Sequence, residues 1–232
     1  MDRASSHRHG SIATHANPSP VSRLSLHTSL FVLIAALVFC FGSVIGAKAA
    51  VDVKERATAK PLTPFTLIDG DGQTFDKSRL EGRWSLVVLG FTHCPDVCPF
   101  TLQNLAQVRE ELTIRVSPAR VPQIVFIGVD PDRDAKLIGG YVKHFGDDFI
   151  GATGEWSEIE KTVEALEGYV RINRKGKAKD DNDYPVFHSA VISVVDPKGQ
   201  LVAGVNPPMD PSETAIYLAS LMLKHSRASA SN

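Results

Sequence analysis

Two strand-length stretches of the chain are almost continuously apolar, Trp84 to Gly90 (WSLVVLG) and Gln123 to Asp130 (QIVFIGVD). Runs of this length without alternation predict strands buried on both faces of a sheet. After the first, Leu102, Leu105, Val108 and Leu112 recur at helical spacing, so a helix follows it; Ala135 to Phe145 and Glu155 to Leu166 predict a second and a third. Phe149 to Gly151 and Tyr169 to Asn173 are short strand candidates. Phe65 to Ile68 and Gln73 to Phe75 flank Asp69-Gly-Asp-Gly72, the composition of a hairpin turn. A second hairpin is predicted where Ala190 to Val195 and Leu201 to Val205 flank Asp196-Pro-Lys-Gly199. Pro211 to Lys224 closes the pattern with a helix. Strands alternating with helices, then a hairpin and helix, predict an α/β fold with a mixed sheet flanked by helices.

The polar stretches divide the chain. Residues 1–29 are polar and contain Arg3, Arg8, Arg23 and four histidines against one acid, Asp2. Leu30 to Ala47 is an 18-residue charge-free run, about the shortest that spans a hydrocarbon core as a helix. It is read as a transmembrane anchor; Ala47-Lys48-Ala49 has the form of a signal peptidase site, so a cleaved signal is the competing reading. Either way, the remainder of the chain is exported. Residues 48–61 lack apolar periodicity and read as a linker, 62–225 as the folded domain and 226–232 as a Ser/Ala tail. Arg174 to Asp183 reads as a surface loop.

Charge adds one exclusion. The 25 basic and 26 acidic residues leave a net charge of −1, which lacks the basic footprint of a nucleic-acid binder. From Val51 onward, 21 basic face 25 acidic residues, a mildly acidic domain.

The chemistry lies in three cysteines, too few for a disulfide scaffold. Cys40 sits in the apolar run and reads as a small hydrophobe. Cys94 and Cys98 stand at the junction of a strand and a helix, and residues four apart share a face wherever the helix has begun. A helix N-terminus also favours thiolate and lowers its pKa. The pair could be a stabilising disulfide, a redox dithiol or two metal ligands. Four histidines lie beyond residue 50. His93 adjoins Cys94 and generally would point elsewhere, His144 lies in the polar register of a helix, and His225 is in the tail. His188, in Tyr184-Pro-Val-Phe-His-Ser-Ala190 before an apolar strand, could lean over the cysteine loop as a third ligand or serve as a hydrogen-bonded structural residue. Two thiolates and one imidazole suit Cu(I) better than hard cations, with zinc the rival.

The string Gly90-Phe-Thr-His-Cys-Pro-Asp-Val-Cys-Pro99 closely resembles the signature of the Sco/SenC family. Val129-Asp-Pro-Asp-Arg-Asp134 is similar to that family's aspartate-rich stretch, and Tyr184 to Ser189 to its histidine region. The resemblance covers about Pro64 to Leu223. It implies a thioredoxin-like domain on one N-terminal transmembrane helix, in the bacterial periplasm or the mitochondrial intermembrane space. It further implies a copper metallochaperone, not an enzyme, with Cys94, Cys98 and His188 holding Cu(I) or Cu(II) for the dinuclear copper centre of a cytochrome c oxidase subunit. A copper donor protein, a thioredoxin-like reductant and the membrane are the other implied partners. The alternative is a thiol–disulfide oxidoreductase in which Cys94 and Cys98 are the redox pair and reduce the acceptor's cysteines. Asp134 is either a nearby polar contributor or a helix N-cap in a charged loop with Asp130 and Asp132. The resemblance leaves the polar, His-containing residues 1–29 unexplained.

Overall fold

The structure, a computed structural model, describes residues 51–174 and 184–230, with side chains to residue 227. In chain order the strands are β1 (Val53–Pro61), β2 (Thr66–Asp69), β3 (Thr74–Asp76), β4 (Ser85–Gly90), β5 (Gln123–Gly128), β6 (Ile150–Thr153), β7 (Val170–Ile172), β8 (Val186–His188), β9 (Ile192–Val195) and β10 (Gln200–Val205). The helices are α1 (Val97–Thr113), α2 (Pro131–Asp134), α3 (Ile138–Lys143), α4 (Trp156–Ala165) and α5 (Pro211–Ala230).

Eight strands form one sheet in the order β1-β10-β9-β4-β5-β6-β2-β3, and β7 pairs with β8 separately. β4, β5 and β6 run parallel, while β9 runs antiparallel to β4. The apolar run of β4 divides between two cores because successive side chains leave a strand on opposite faces. Leu86 and Val88 join Phe126 against Leu102 and Leu105 of α1 and Leu218 of α5. Val87 and Leu89 join Ile127 against Ile159 and Val163 of α4. Each such side chain removed from water contributes about 1.5–3 kcal/mol, and the result is a thioredoxin-like mixed sheet flanked by helices.

Both predicted hairpins form, and aspartates close both. The Asp69 carboxylate accepts the Asp71 and Gln73 N–H groups at 3.0 and 2.8 Å, with Gly72 at φ 78°. Asp196 likewise accepts from Lys198 and Gln200, with Gly199 at φ 67°. Both glycines occupy the left-handed region that disfavours other residues.

Three expectations are corrected. The segment read as a tether is strand β1, paired antiparallel with β10 in a register that shifts between Glu55 and Lys60. As an edge strand it is half-buried and charged outward, which suppresses the apolar alternation that marks a strand and discourages pairing with another chain. The helix expected over Ala135 to Phe145 is shortened to α3, Ile138–Lys143; α2 precedes the expected span, and the Leu137 N–H closes onto the Asp134 carbonyl in a tight turn between the two. The tail is helical to Ala230: no Pro or Gly interrupts α5, and the His225 ring packs edge-on against Trp84 at 5.4 Å.

No helix among the described residues is long and apolar enough to cross a membrane. The apolar run 30–47 and residues 175–183 of the predicted loop lie outside the described residues.

Candidate metal centre

The sheet's register decides which loops meet. Gly90 ends β4 opposite Gly128, the end of parallel β5, and Val88 pairs with Ile192 at the start of antiparallel β9. Segments 91–98, 129–134 and 184–191 therefore emerge at one end of the sheet, beyond the carboxyl ends of the parallel strands where open α/β sheets place ligands.

In the first segment, the Cys94 N–H turns back onto the Phe91 carbonyl at 3.1 Å, and α1 begins only at Val97. Cys94 therefore lies in the loop and Cys98 in the first helical turn, and the two thiols meet across that junction rather than along one helix face. Both are free thiols, Cys94 half-buried and Cys98 2% exposed. The expected lowering of pKa does not hold for Cys98. Burial pushes its thiol well up, the adjacent Cys94 thiol and Asp134 carboxylate add to this, and a hydrogen bond from the Phe91 backbone offsets only part. Gly90 leaves room for the sulfur: a Cβ there would stand 2.4 Å from the Phe126 ring and 3.0 Å from the Cys98 Sγ.

His188 ends β8, whose pairing with β7 sets it opposite Val170. Its Nδ1 is 2.9 Å from the Ser189 carbonyl oxygen, which can only accept, so Nδ1 carries the proton and Nε2 is left with a lone pair. That Nε2 stands 4.0 Å from the Cys98 Sγ. Burial lowers the imidazole's pKa, only partly opposed by the Ser189 bond, which keeps the ring neutral and fit to ligate. The Phe91 ring meets it edge-on at 5.9 Å.

The aspartate-rich segment binds the other two together. The Asp134 carboxylate is not an N-cap: its Oδ1 accepts the Thr92 N–H at 2.7 Å and the Thr92 hydroxyl at 2.8 Å, and its Oδ2 the Asp130 N–H at 2.9 Å. Burial nevertheless raises its pKa to about 6. Asp130 is fully buried, ion-paired with Arg133, and accepts the Tyr184 hydroxyl at 2.9 Å. Exposed Asp132 pairs with Arg174. Arg133 and Tyr184 are the residues that sequence reasoning missed, although each lay within a motif. The available signal was one base among three acids, flanked by an apolar strand.

The other histidines stay apart from this centre. His93 is exposed with Nδ1 near the Thr92 hydroxyl at 3.2 Å, His144 packs on Phe145, and His225 lies on α5. Cys94 adjoins Cys98, and Cys98 adjoins His188, but no three Cys, His, Asp or Glu side chains among the described residues form a ready-made metal cluster. A thiolate and an imidazole at about 2.3 and 2.0 Å from one ion can be up to about 4.3 Å apart. Cys98 and His188 fit that limit. A groove of about 1010 Å³ beside Ile68, Trp156 and Arg174 is lined by no thiol or imidazole and is not this centre.

The SCO1/SenC family model matches residues 53–223. "Protein SCO1 homolog, mitochondrial" of Homo sapiens is 33% identical over 220 residues, 92% of this chain and 71% of that protein. The crystal structure of Arabidopsis thaliana ScoI with copper bound superposes with a TM-score of 0.63 at 30% identity, covering 70% of this chain and 98% of the other. Yeast Sco1 with copper bound gives 0.62 at 29% identity, over 69% of this chain and 87% of the other.

Proposed function

This chain belongs to the SCO1/SenC family, and from that premise we propose that it is a copper metallochaperone whose cargo is held by Cys94, Cys98 and His188. The 4.0 Å approach of the Cys98 Sγ and His188 Nε2 carries the reading. Two soft thiolates and a neutral imidazole form a donor set suited to Cu(I), while the imidazole also accommodates Cu(II). Cys98 and His188 supply the buried side of the site. Cys94, on the loop and half-buried, is the ligand that an incoming acceptor thiolate reaches and replaces first. Transfer then proceeds by ligand exchange, each new copper–sulfur bond replacing an old one with no change in oxidation state.

The acceptor in this reading is the copper-binding subunit of a cytochrome c oxidase, and a donor protein supplies the ion. Residues 30–47 tether the domain to a membrane on its periplasmic or intermembrane-space side. Copper titration of the reduced protein tests the reading: one ion per chain is expected, and stoichiometric copper retained by the Cys94→Ser, Cys98→Ser double variant would contradict it.

The unequal exposure of the two free thiols supports a second reading. A reachable Cys94 beside a buried Cys98 is the arrangement of an attacking and a resolving thiol in thiol–disulfide exchange. In that role the dithiol reduces the acceptor's cysteines, is itself oxidised to the disulfide, and is restored by a thioredoxin-like reductant. His188→Ala separates the two: it abolishes oxidase assembly if copper delivery is the function and spares it if reduction is.

A further inference from the structure

We propose that Arg133 is the positioning residue that joins the cysteine segment to the histidine segment, and that it selectively supports copper states that need His188. The inference rests on the metallochaperone reading above.

Three observations carry it. The Arg133 side chain is only 5% exposed, and its guanidinium lies between two rings, with Cζ 4.0 Å from the Tyr184 centroid and 5.1 Å from that of Phe91. Phe91 precedes Cys94 by three residues and also touches the His188 ring, while Tyr184 precedes His188 by four. Both the guanidinium Nε and the Tyr184 hydroxyl bond the buried Asp130 carboxylate, and a guanidinium nitrogen reaches the Tyr184 carbonyl at 3.5 Å. One planar cation thus contacts a ring from each ligand-bearing segment and is anchored to the segment between them.

A buried ion pair is a poor way to gain stability, since apolar replacement is often neutral or better. Its geometric effect is the distinctive one. A planar, delocalised guanidinium can stack on aromatic rings while its edge bonds a carboxylate, which an ammonium cannot do. The two thiolates lie four residues apart on one continuous segment and need no such clip to hold Cu(I). The imidazole arrives on a separate strand, so its registry with Cys98 depends on what links Phe91 to Tyr184.

The test compares wild type with Arg133→Lys, which keeps the charge without the plane, and with Tyr184→Leu, which keeps the Arg133–Asp130 pair but removes one ring. Tyr184→Leu decides the matter if Arg133→Lys does not fold. Cu(II) affinity is expected to fall about 10–100-fold, the usual effect of losing support behind a ligand, with weaker nitrogen hyperfine coupling in the Cu(II) spectrum and Cu(I) affinity changed less than about threefold. In the metal-free variants, the proton NOE between the Phe91 and His188 rings should be lost. Cu(I) and Cu(II) affinities that fall together, or an NOE that persists, would overturn the proposal. If wild type shows no imidazole coordination to copper, the metallochaperone reading fails instead, and the metal-free NOE still decides the role of Arg133.

Discussion

The Nε2 of His188 faces the Sγ of Cys98 across 4.0 Å although the two residues are 90 positions apart in the chain. The contact exists because β4 and β9 are antiparallel neighbours, so the exit of one and the entry of the other share an end of the sheet. The ring's other nitrogen is occupied by the Ser189 carbonyl, which presents the lone pair to the sulfur. His188→Ala is therefore expected to retain Cu(I) on the two thiolates while losing the Cu(II) spectrum, with Cu(II) affinity down by at least about tenfold, or 1.4 kcal/mol. Competition titrations with chelators of each oxidation state check this.

Copper uptake must also displace thiol protons. Burial raises the Cys98 pKa, so this thiol is protonated at neutral pH until an ion takes the proton's place. The proton that Cys98 releases on binding makes affinity fall by about one decade per pH unit of acidification. Cu(I) competition between pH 6 and 8 measures the slope, and a pH-independent affinity would exclude dithiolate ligation.

Asp134 gives stability a second pH dependence with the opposite character to that of a salt-bridged acid. Its folded pKa, about 6, lies above the unfolded value of 3.8, so between these pH values the native state holds the extra proton. Stability therefore falls as pH rises through that window, by up to about 3 kcal/mol at 1.36 kcal/mol per pKa unit. A carboxyl-carbon NMR titration should place the Asp134 midpoint near 6. A midpoint at or below 4 would show that the Thr92 and Asp130 donors outweigh burial.

Gly90 is expected to tolerate no side chain. In Gly90→Ala the new Cβ would meet both the Phe126 ring and the Cys98 sulfur, and overpacking of this kind costs about 1–3 kcal/mol. Urea unfolding should show that loss, together with weaker copper binding because the sulfur itself is displaced. Unchanged binding in a destabilised Gly90→Ala protein would show that the sulfur's position is not critical.

Much of this arrangement is legible in the sequence, for identifiable reasons. Strands buried on both faces write themselves as β4 and β5 do, and the aspartate-glycine turns announce both hairpins. Cys94, Cys98 and His188 are visible as residue types with metal chemistry. β1 escapes notice because an edge strand needs only one partner and carries charges such as Lys54 and Glu55 on a half-buried ribbon. Arg133 and Asp134 are readable as a charged loop, but their partners Tyr184 and Thr92 are 51 and 42 residues distant. Pairings across that separation are set by the sheet order, which local periodicity does not encode. The Cys98 pKa is hidden for the same reason: the helix N-terminus is local and visible, whereas the desolvation that outweighs it comes from packing.

Copper X-ray absorption of the reduced, Cu(I)-loaded protein, alongside its His188→Ala variant, decides whether both thiolates and the imidazole hold the ion. One copper with two sulfur neighbours and one nitrogen neighbour is expected in wild type, and two sulfurs alone after loss of the imidazole. Identical spectra for the two proteins, or a copper shell without sulfur, would contradict this ligand set.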